Sequence, residues 1–394
     1  MLHIVSPKQS TAAKQIVFFS LEDWDEVWRR NQFICAGLHD KHPELEILWV
    51  CPPIDLLHEA RRGAKIDHQN RLNCLNSVPG YSRIKTFKSV KLLPNAVARS
   101  LNNWYLQMQV RNAVKQLGWE SWINWVNDQK ARCYLPSQLR IIYDITDDWA
   151  ELAQSARHRK LVKEDDEWAT DRAEAVIVCS EKLYEKKKGR TARLNLIRNG
   201  VDHRRYHPDW LSGVEPASDI DMIKRPIAGY TGTLHDQRLD LALIQEVAQL
   251  MPTVNFVFVG PNYLSEDQTK QLTALPNILI LGAKPYTDLP RYVAAFDLCI
   301  TPHKVSSFTE SLDPLKLYEY MSTGKPIVST ACAGFRELEP LVKIASTSKT
   351  FAEAILQALD SSPGDAASRE QRLLWGASCS WTERVKEVER VLGW

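Results

Sequence analysis

The sequence predicts an α/β protein made of two doubly wound domains, and three observations carry that expectation. At 394 residues the chain exceeds what one ordinary core organises, so two domains of about 200 residues each are expected. Strand-like apolar runs alternate with helical patterns in both halves. In the second half, the run Ile227–Tyr230 leads into Gly232-Thr233-Leu234-His235 and then a helix, the usual diphosphate cradle of an α/β unit.

Composition narrows the class. Hydrophobic content of 44% with 25% charged residues fits a soluble globular protein. A net charge of +2 with no basic tail gives no reason to expect nucleic acid as a partner. The eight cysteines lack C-x-x-C spacing, and Cys179 and Cys299 sit in buried-strand patterns, so reduced thiols in a cytosolic protein are expected. No apolar run approaches membrane-spanning length, and MLHIVSPKQSTAAKQ does not read as a signal peptide. A cytoplasmic protein follows, with any membrane association peripheral.

In chain order, Gln15–Ser20 reads as the first strand and Glu46–Val50 as the second, closed by Cys51-Pro52-Pro53, with a helix containing Trp28, Phe33, Ile34 and Leu38 between them. Ligands of such sheets sit at the carboxyl ends of strands, which marks Ser20–Arg30 as a site-lining loop. Tyr81–Trp119 contains seven basic residues from Arg83 to Lys115 and no acidic one, interleaved with Phe87, Leu92, Leu93, Trp104, Tyr105 and Met108. Such a mixture suits an anionic membrane surface if the charges share one face, or else core helices with solvated lysines. Arg140–Ile145 is a further strand, ending at Thr146-Asp147-Asp148. Asp147 or Asp148 there would accept a proton from a bound hydroxyl group, or would cap the next helix. Ala175–Cys179 is a buried strand, and Asn199-Gly200 a turn where the chain leaves the first domain.

In the second half, Asn255–Gly260, Ile278–Gly282 and Leu298–Thr301 are the next strands, and a lone His303 at a strand end is read as structural. The stretch Phe308–Gly334 organises the rest. Ser311 and Asp313 are capping types, Pro314 suits a first helical position, and Gly324 ends the helix before Pro326. A helix start bears partial positive charge and free N–H groups, so it can hold an anion, and Lys316 adds a full charge there. Glu319, three residues on, projects on nearly the same face. That layout suits a phosphate beside a vicinal diol, as in a sugar nucleotide; the alternative is a capped helix with a solvated Lys316–Glu319 pair.

PLKLYEY at Pro314–Tyr320, followed by Gly324, Lys325 and Pro326, resembles the donor-binding motif of GT-B glycosyltransferases of the family 4 (group 1) type, in the branch written P-L-K-L-Y-E-Y-x-x-x-G-K-P. WDEVWRRNQ resembles that branch's W-x-x-V-W-x-R-x-Q, making Trp28, Arg30 and Gln32 candidates for the inter-domain cleft. Tyr143, Asp144, Asp147 and Asp148 reproduce its Y-D-x-x-D-D, and Ile197–Asp202 its I-x-N-G-V-D. The resemblance implies a GT-B architecture: two Rossmann-like domains facing across a cleft. The domains would be 1–205 for the acceptor and 227–378 for the donor, joined by a linker at 206–226, with a helix at 379–394 crossing back.

It also implies transfer of a hexose-type sugar from a nucleotide-diphosphate sugar to a glycan or lipid-linked acceptor, with retained anomeric configuration and neither metal nor separate cofactor. Glu319 would hold the ribose, the backbone N–H groups of Leu315, Lys316 and Leu317 would face the diphosphate together with the Lys316 amine, and Ser311 and Asp313 would also line the donor site. Gly232, Thr233 and Arg238 would cover it from the other side, and Lys284 with Pro285 would meet the base. The first glutamate of the family's E-x7-E falls on Ser311, with Glu310 one place off. A non-hydrolysing sugar-nucleotide 2-epimerase, or a non-catalytic binding module, are the alternatives.

Overall fold

The computed structural model describes residues 15–55, 72–91, 95–136, 140–153, 155–360 and 365–394. The N-terminal stretch, Leu92, Leu93 and the Arg99 side chain fall outside them. Two sheets carry the molecule. The first has eight strands in the order β3-β4-β2-β1-β5-β6-β7-β8, with β1 Gln15–Phe19, β2 Glu46–Asp55, β3 Leu75–Val78, β4 Tyr81–Lys91, β5 Ile123–Val126, β6 Ile141–Ile145, β7 Ala175–Val178 and β8 Leu194–Leu196. All neighbours pair parallel except β3 and β4. The second has six parallel strands in the order β11-β10-β9-β12-β13-β14, with β9 Ile227–Thr231, β10 Asn255–Val259, β11 Ile278–Gly282, β12 Leu298–Thr301, β13 Ile327–Ser329 and β14 Lys343–Ile344. β1, β5, β7, β9 and β12 are buried almost throughout, the pattern of strands covered by helices on both faces.

Strand order reverses between β1 and β5 in one sheet and between β9 and β12 in the other. Open α/β sheets bind ligands at such switch points, so the loops after β1, β9 and β12 are the ones to search. Helix Trp381–Leu392 packs on helix Arg30–Lys41 of the first domain: Trp381 stacks on Phe33 at 4.7 Å, Val385 lies against Gly37, and Glu389 pairs with Lys41 and His42. Three short helices, His203–Tyr206, Pro208–Leu211 and Ser218–Asp221, lie between the two sheets, the last two inside the segment expected as a linker.

Several local expectations shift. β2 does not stop at Cys51-Pro52-Pro53 but continues to Asp55. The two prolines, lacking N–H donors, sit at a register slip between Cys51 and Ile54. Trp28 lies before the first helix, which starts at Arg30. The basic segment divides into the strand β4 and helix Asn95–Gln116, so its charges do not share one face. Arg83 turns inward to the carbonyls of His39, His42 and Leu45, and Lys88 pairs with Asp23 at 2.6 Å. On the helix, however, Leu101, Trp104 and Met108 are exposed beside Arg111 and Lys115. Cys35, Cys51, Cys133, Cys179, Cys299, Cys332 and Cys379 are free thiols, and among the described residues no helix is long and apolar enough to cross a membrane.

Candidate active site

Helix Leu315–Thr323 begins without a side-chain cap. Pro314, extended at φ −72° and ψ 121°, takes the N-cap position, so the helix starts one residue later than its sequence suggested. The N–H of Leu317 bonds the Pro314 carbonyl at 3.0 Å, leaving the first turn at Leu315 and Lys316 uncapped by any side chain. Gly324 ends the helix in the left-handed region, at φ 66°.

The two capping types turn elsewhere. Asp313 accepts from the Asn199 N–H at 2.5 Å and the Tyr318 hydroxyl at 2.7 Å. The Ser311 hydroxyl donates to the Phe308 carbonyl and accepts from the Asp148 N–H, while the Ser180 hydroxyl donates to the Ser311 carbonyl at 2.7 Å. Both residues therefore tie the two domains together. A carboxylate would repel a diphosphate, whereas at the hinge it meets free donors. Glu310, one place from the family's first glutamate, is held by Arg336 at both its oxygens, at 2.8 and 2.5 Å.

Lys316 and the glycine turn, far apart in sequence, do meet. The Lys316 amine lies 4.6 Å from the centre of the Tyr230 ring, and a Cβ on Gly232 would come within 3.1 Å of it. Gly232 adopts φ +130°, a conformation that L side chains rarely adopt. The Tyr230 hydroxyl fixes the next residue, Thr233, through its carbonyl at 3.2 Å and also touches His303 Nε2 at 3.2 Å. Burial, with Lys316 and Arg238 nearby, holds His303 well below the usual histidine range, so this imidazole is neutral and structural. Burial also pushes the Lys316 amine down to about 7, assisted by Arg238 and opposed by Glu319.

Glu319 is buried, with 8% of its surface exposed. Burial raises its carboxyl to about 7, against the Tyr206 hydroxyl and Lys316, which favour the charged form. Tyr286 lies beside the same carboxyl. Lys316 and Glu319 thus point to different walls, and the solvated pair is not formed.

The remaining candidates separate. Arg238 reaches across the cleft to Asp147 at 3.6 Å and covers the Phe308 ring at 5.4 Å. Asp148 pairs with Lys186 at 2.6 Å, so of the two aspartates Asp147 is the one whose carboxyl pairs across the cleft. Lys284 is drawn to Asp219 at 2.7 Å and to the Tyr292 ring, which leaves only its backbone for a base contact. Trp28 does reach the interface, stacked on Tyr286 of the second domain at 6.2 Å. Arg30 is buried against Asp144, the Asn199 side chain and the Arg198 carbonyl, and Gln32 caps its own helix through the Arg29 N–H, so both are structural.

Glu22 and Tyr206 were not singled out from the sequence. Glu22 follows β1 inside the loop marked as site-lining, so its position was legible and only its choice over Trp28 was not. Tyr206 lay in a segment read as linker and gave no signal. Among the described residues, no three histidine, cysteine or acidic side chains converge as a metal site.

Residues 225–361 match the family model described as Glycosyl transferases group 1. The chain is 29% identical over 205 residues to the putative teichuronic acid biosynthesis glycosyltransferase TuaH of Bacillus subtilis, spanning 48% of this chain and 50% of that protein. It therefore aligns with about half the length of the relative that it matches. Among solved structures, sucrose-phosphate synthase from Thermosynechococcus elongatus superposes with a TM-score of 0.68 at 14% identity, over 96% of this chain and 98% of that one. HepE of Anabaena in complex with UDP-glucose superposes with 0.67 at 16% identity, over 96% and 99%. The chain as a whole has the GT-B fold, and residues 225–361 of its second domain are similar to the group 1 glycosyl transferases.

Proposed function

We propose that this protein is a glycosyltransferase that moves a hexose-type sugar from a nucleotide-diphosphate sugar to a glycan or lipid-linked acceptor, in cell-surface polysaccharide or glycolipid assembly. One observation carries the reading: the Lys316 amine sits directly over Gly232 at an uncapped helix start, with the buried Glu319 three residues on. A diphosphate placed there would meet the amine, the free N–H groups of Leu315 and Lys316 and the turn at Gly232 and Thr233. The ribose hydroxyls would reach Glu319. The chemical work is stabilising the departing diphosphate by groups already in place, the type of preorganised electrostatics that dominates many enzymes. Retention of the anomeric configuration, independence from metal, and Asp147 as the acceptor-side carboxylate belong to the same proposal. Incubation with UDP-, GDP- and dTDP-sugars tests it. Nucleoside diphosphate release that depends on an acceptor supports transfer, a new sugar nucleotide means an epimerase, and neither means a binding module.

The acceptor side is proposed to work on the cytoplasmic face of a membrane. Supporting this is helix Asn95–Gln116, whose exposed Leu101, Trp104 and Met108 continue into Arg111 and Lys115 along one face. Apolar residues beside cations favour an anionic interface, at about 1 kcal/mol per cation near the surface. Co-sedimentation with phosphatidylglycerol vesicles at low salt, lost on Trp104→Ser with Arg111→Glu, is the expected outcome. Equal pelleting of wild type and variant would sink it.

A further inference from the structure

Four charges line the mouth of the cleft, two carboxyl groups flanked by two guanidinium groups. Arg29 holds Glu22 at 3.2 Å, Glu22 lies near Asp147, and Asp147 holds Arg238 of the second domain at 3.6 Å. The second Glu22 oxygen is buried with no hydrogen-bond partner, so this carboxyl is not exhausted by Arg29. Arg238 also lies near enough to Lys316 to repel its charge. The guanidinium therefore stands between the cradle for a diphosphate and the carboxyl groups of the first domain.

We propose that Arg238 is shared between the two substrates in turn: without donor it neutralises Asp147, and a bound diphosphate draws it away, which frees Asp147 beside Glu22 to receive an acceptor hydroxyl. This rests on the donor reading given above and adds to it an order, donor before acceptor, and a second carboxyl, Glu22, at the acceptor. The electrostatics favour the exchange. A diphosphate brings at least two negative charges to a cation that otherwise meets one carboxylate, and guanidinium matches phosphate geometry well.

Losing Arg238 also changes what Asp147 can do. Burial already raises the Asp147 carboxyl, and Arg238 is the main charge opposing that rise, with the Thr146 hydroxyl assisting and Asp148 acting against it. Glu22 is pushed up to about 7 by burial, with Arg29 and Arg238 opposing and Asp147 and Asp25 reinforcing. With its cation gone, Asp147 becomes the more basic. In the transfer itself, the acceptor oxygen forms its bond to the anomeric carbon as the bond to the diphosphate breaks. The bonding pair leaves with the diphosphate, and the acceptor proton passes to Asp147.

Calorimetric titration of the full chain with UDP, GDP and dTDP tests the sharing without an acceptor. Asp147→Asn should bind the preferred nucleoside diphosphate about fivefold tighter than wild type, since an ion pair of this exposure is worth that order. Arg238→Met should bind it at least fivefold more weakly, and adding Asp147→Asn to Arg238→Met should then change nothing. Unchanged or weaker binding by Asp147→Asn, or the same gain in the Arg238→Met background, overturns the sharing while leaving the donor site intact. No binding of any nucleoside diphosphate by wild type or Asp147→Asn overturns the donor reading and this inference with it. Should Asp147→Asn melt early, Asp147→Ser carries the same expectations.

Discussion

The two faces of the cleft are charged in opposite ways. On the second domain, Lys316 is half-buried over Tyr230, among the described residues it has no ion-pair partner, and the helix start behind it is uncapped. On the first domain, four charged groups near the cleft have an ion-pair partner: Arg30 in Asp144, Asp148 in Lys186, Glu22 in Arg29, and Asp147 in a cation borrowed from the opposite side. An unanswered cation kept out of water is costly and is retained where an anion will supply the compensation. The contrast separates a preformed donor face from an acceptor face that is closed until a partner arrives.

Breaking the donor face should have the largest effect. Glu319→Ala is expected to lower turnover at least 100-fold, about 2.7 kcal/mol of transition-state stabilisation, with circular dichroism and melting close to wild type. Wild-type rates in this variant would remove Glu319 from the ribose role. Lys316→Met should weaken nucleoside diphosphate binding about thirtyfold, near half the Coulomb value of such a contact at an effective dielectric of 20. Lys316→Arg should restore little, because a bulkier guanidinium would have to share the place where the amine lies 4.6 Å from the Tyr230 ring centre and close over Gly232. Gly232→Ala is the smaller perturbation. Its methyl meets the amine at 3.1 Å in a backbone conformation that alanine rarely adopts. About a tenfold loss of affinity is expected, read by calorimetry.

The same contrast governs what was legible in the sequence. The donor face was readable because its contacts are local: Pro314 to Gly324 is one helix with its stop signal, and Gly232 is one turn at a strand end. Even there, Ser311 and Asp313 were assigned by residue type, and type does not say whether an oxygen meets its own helix or Asn199, over a hundred residues away. The acceptor face depends on such distant meetings. Nothing near Asp147 in the chain names Arg238 as its partner, and nothing near Tyr206 names Glu319. The basic stretch from Arg83 to Lys115 failed as a single surface for a related reason. Charge composition is blind to the change from a strand, where alternate residues turn inward, to a helix, where every third or fourth shares a face.

The smallest effect concerns protons and sharpens the comparison most directly. Lys316, pushed down to about 7, must be charged to hold a diphosphate, so binding should weaken as pH rises above 7, by at most tenfold per unit. Glu319, pushed up to about 7, must be ionised to accept from two ribose hydroxyls, so binding should weaken again below 7. Affinity for a nucleoside diphosphate should therefore peak near pH 7, and Glu319→Gln should flatten only the acid limb. Stability carries a separate sign. The folded protein keeps a proton on Glu319 that the unfolded chain, at its ordinary 4.5, has released, so this residue's contribution to stability falls as pH rises from 4.5 through 7. Relative to wild type, Glu319→Gln should then gain a few degrees in Tm at pH 8 that it does not show at pH 4.5. An equal Tm difference at the two pH values would mean that the Glu319 carboxyl is not raised, and the acid limb of binding would need another owner.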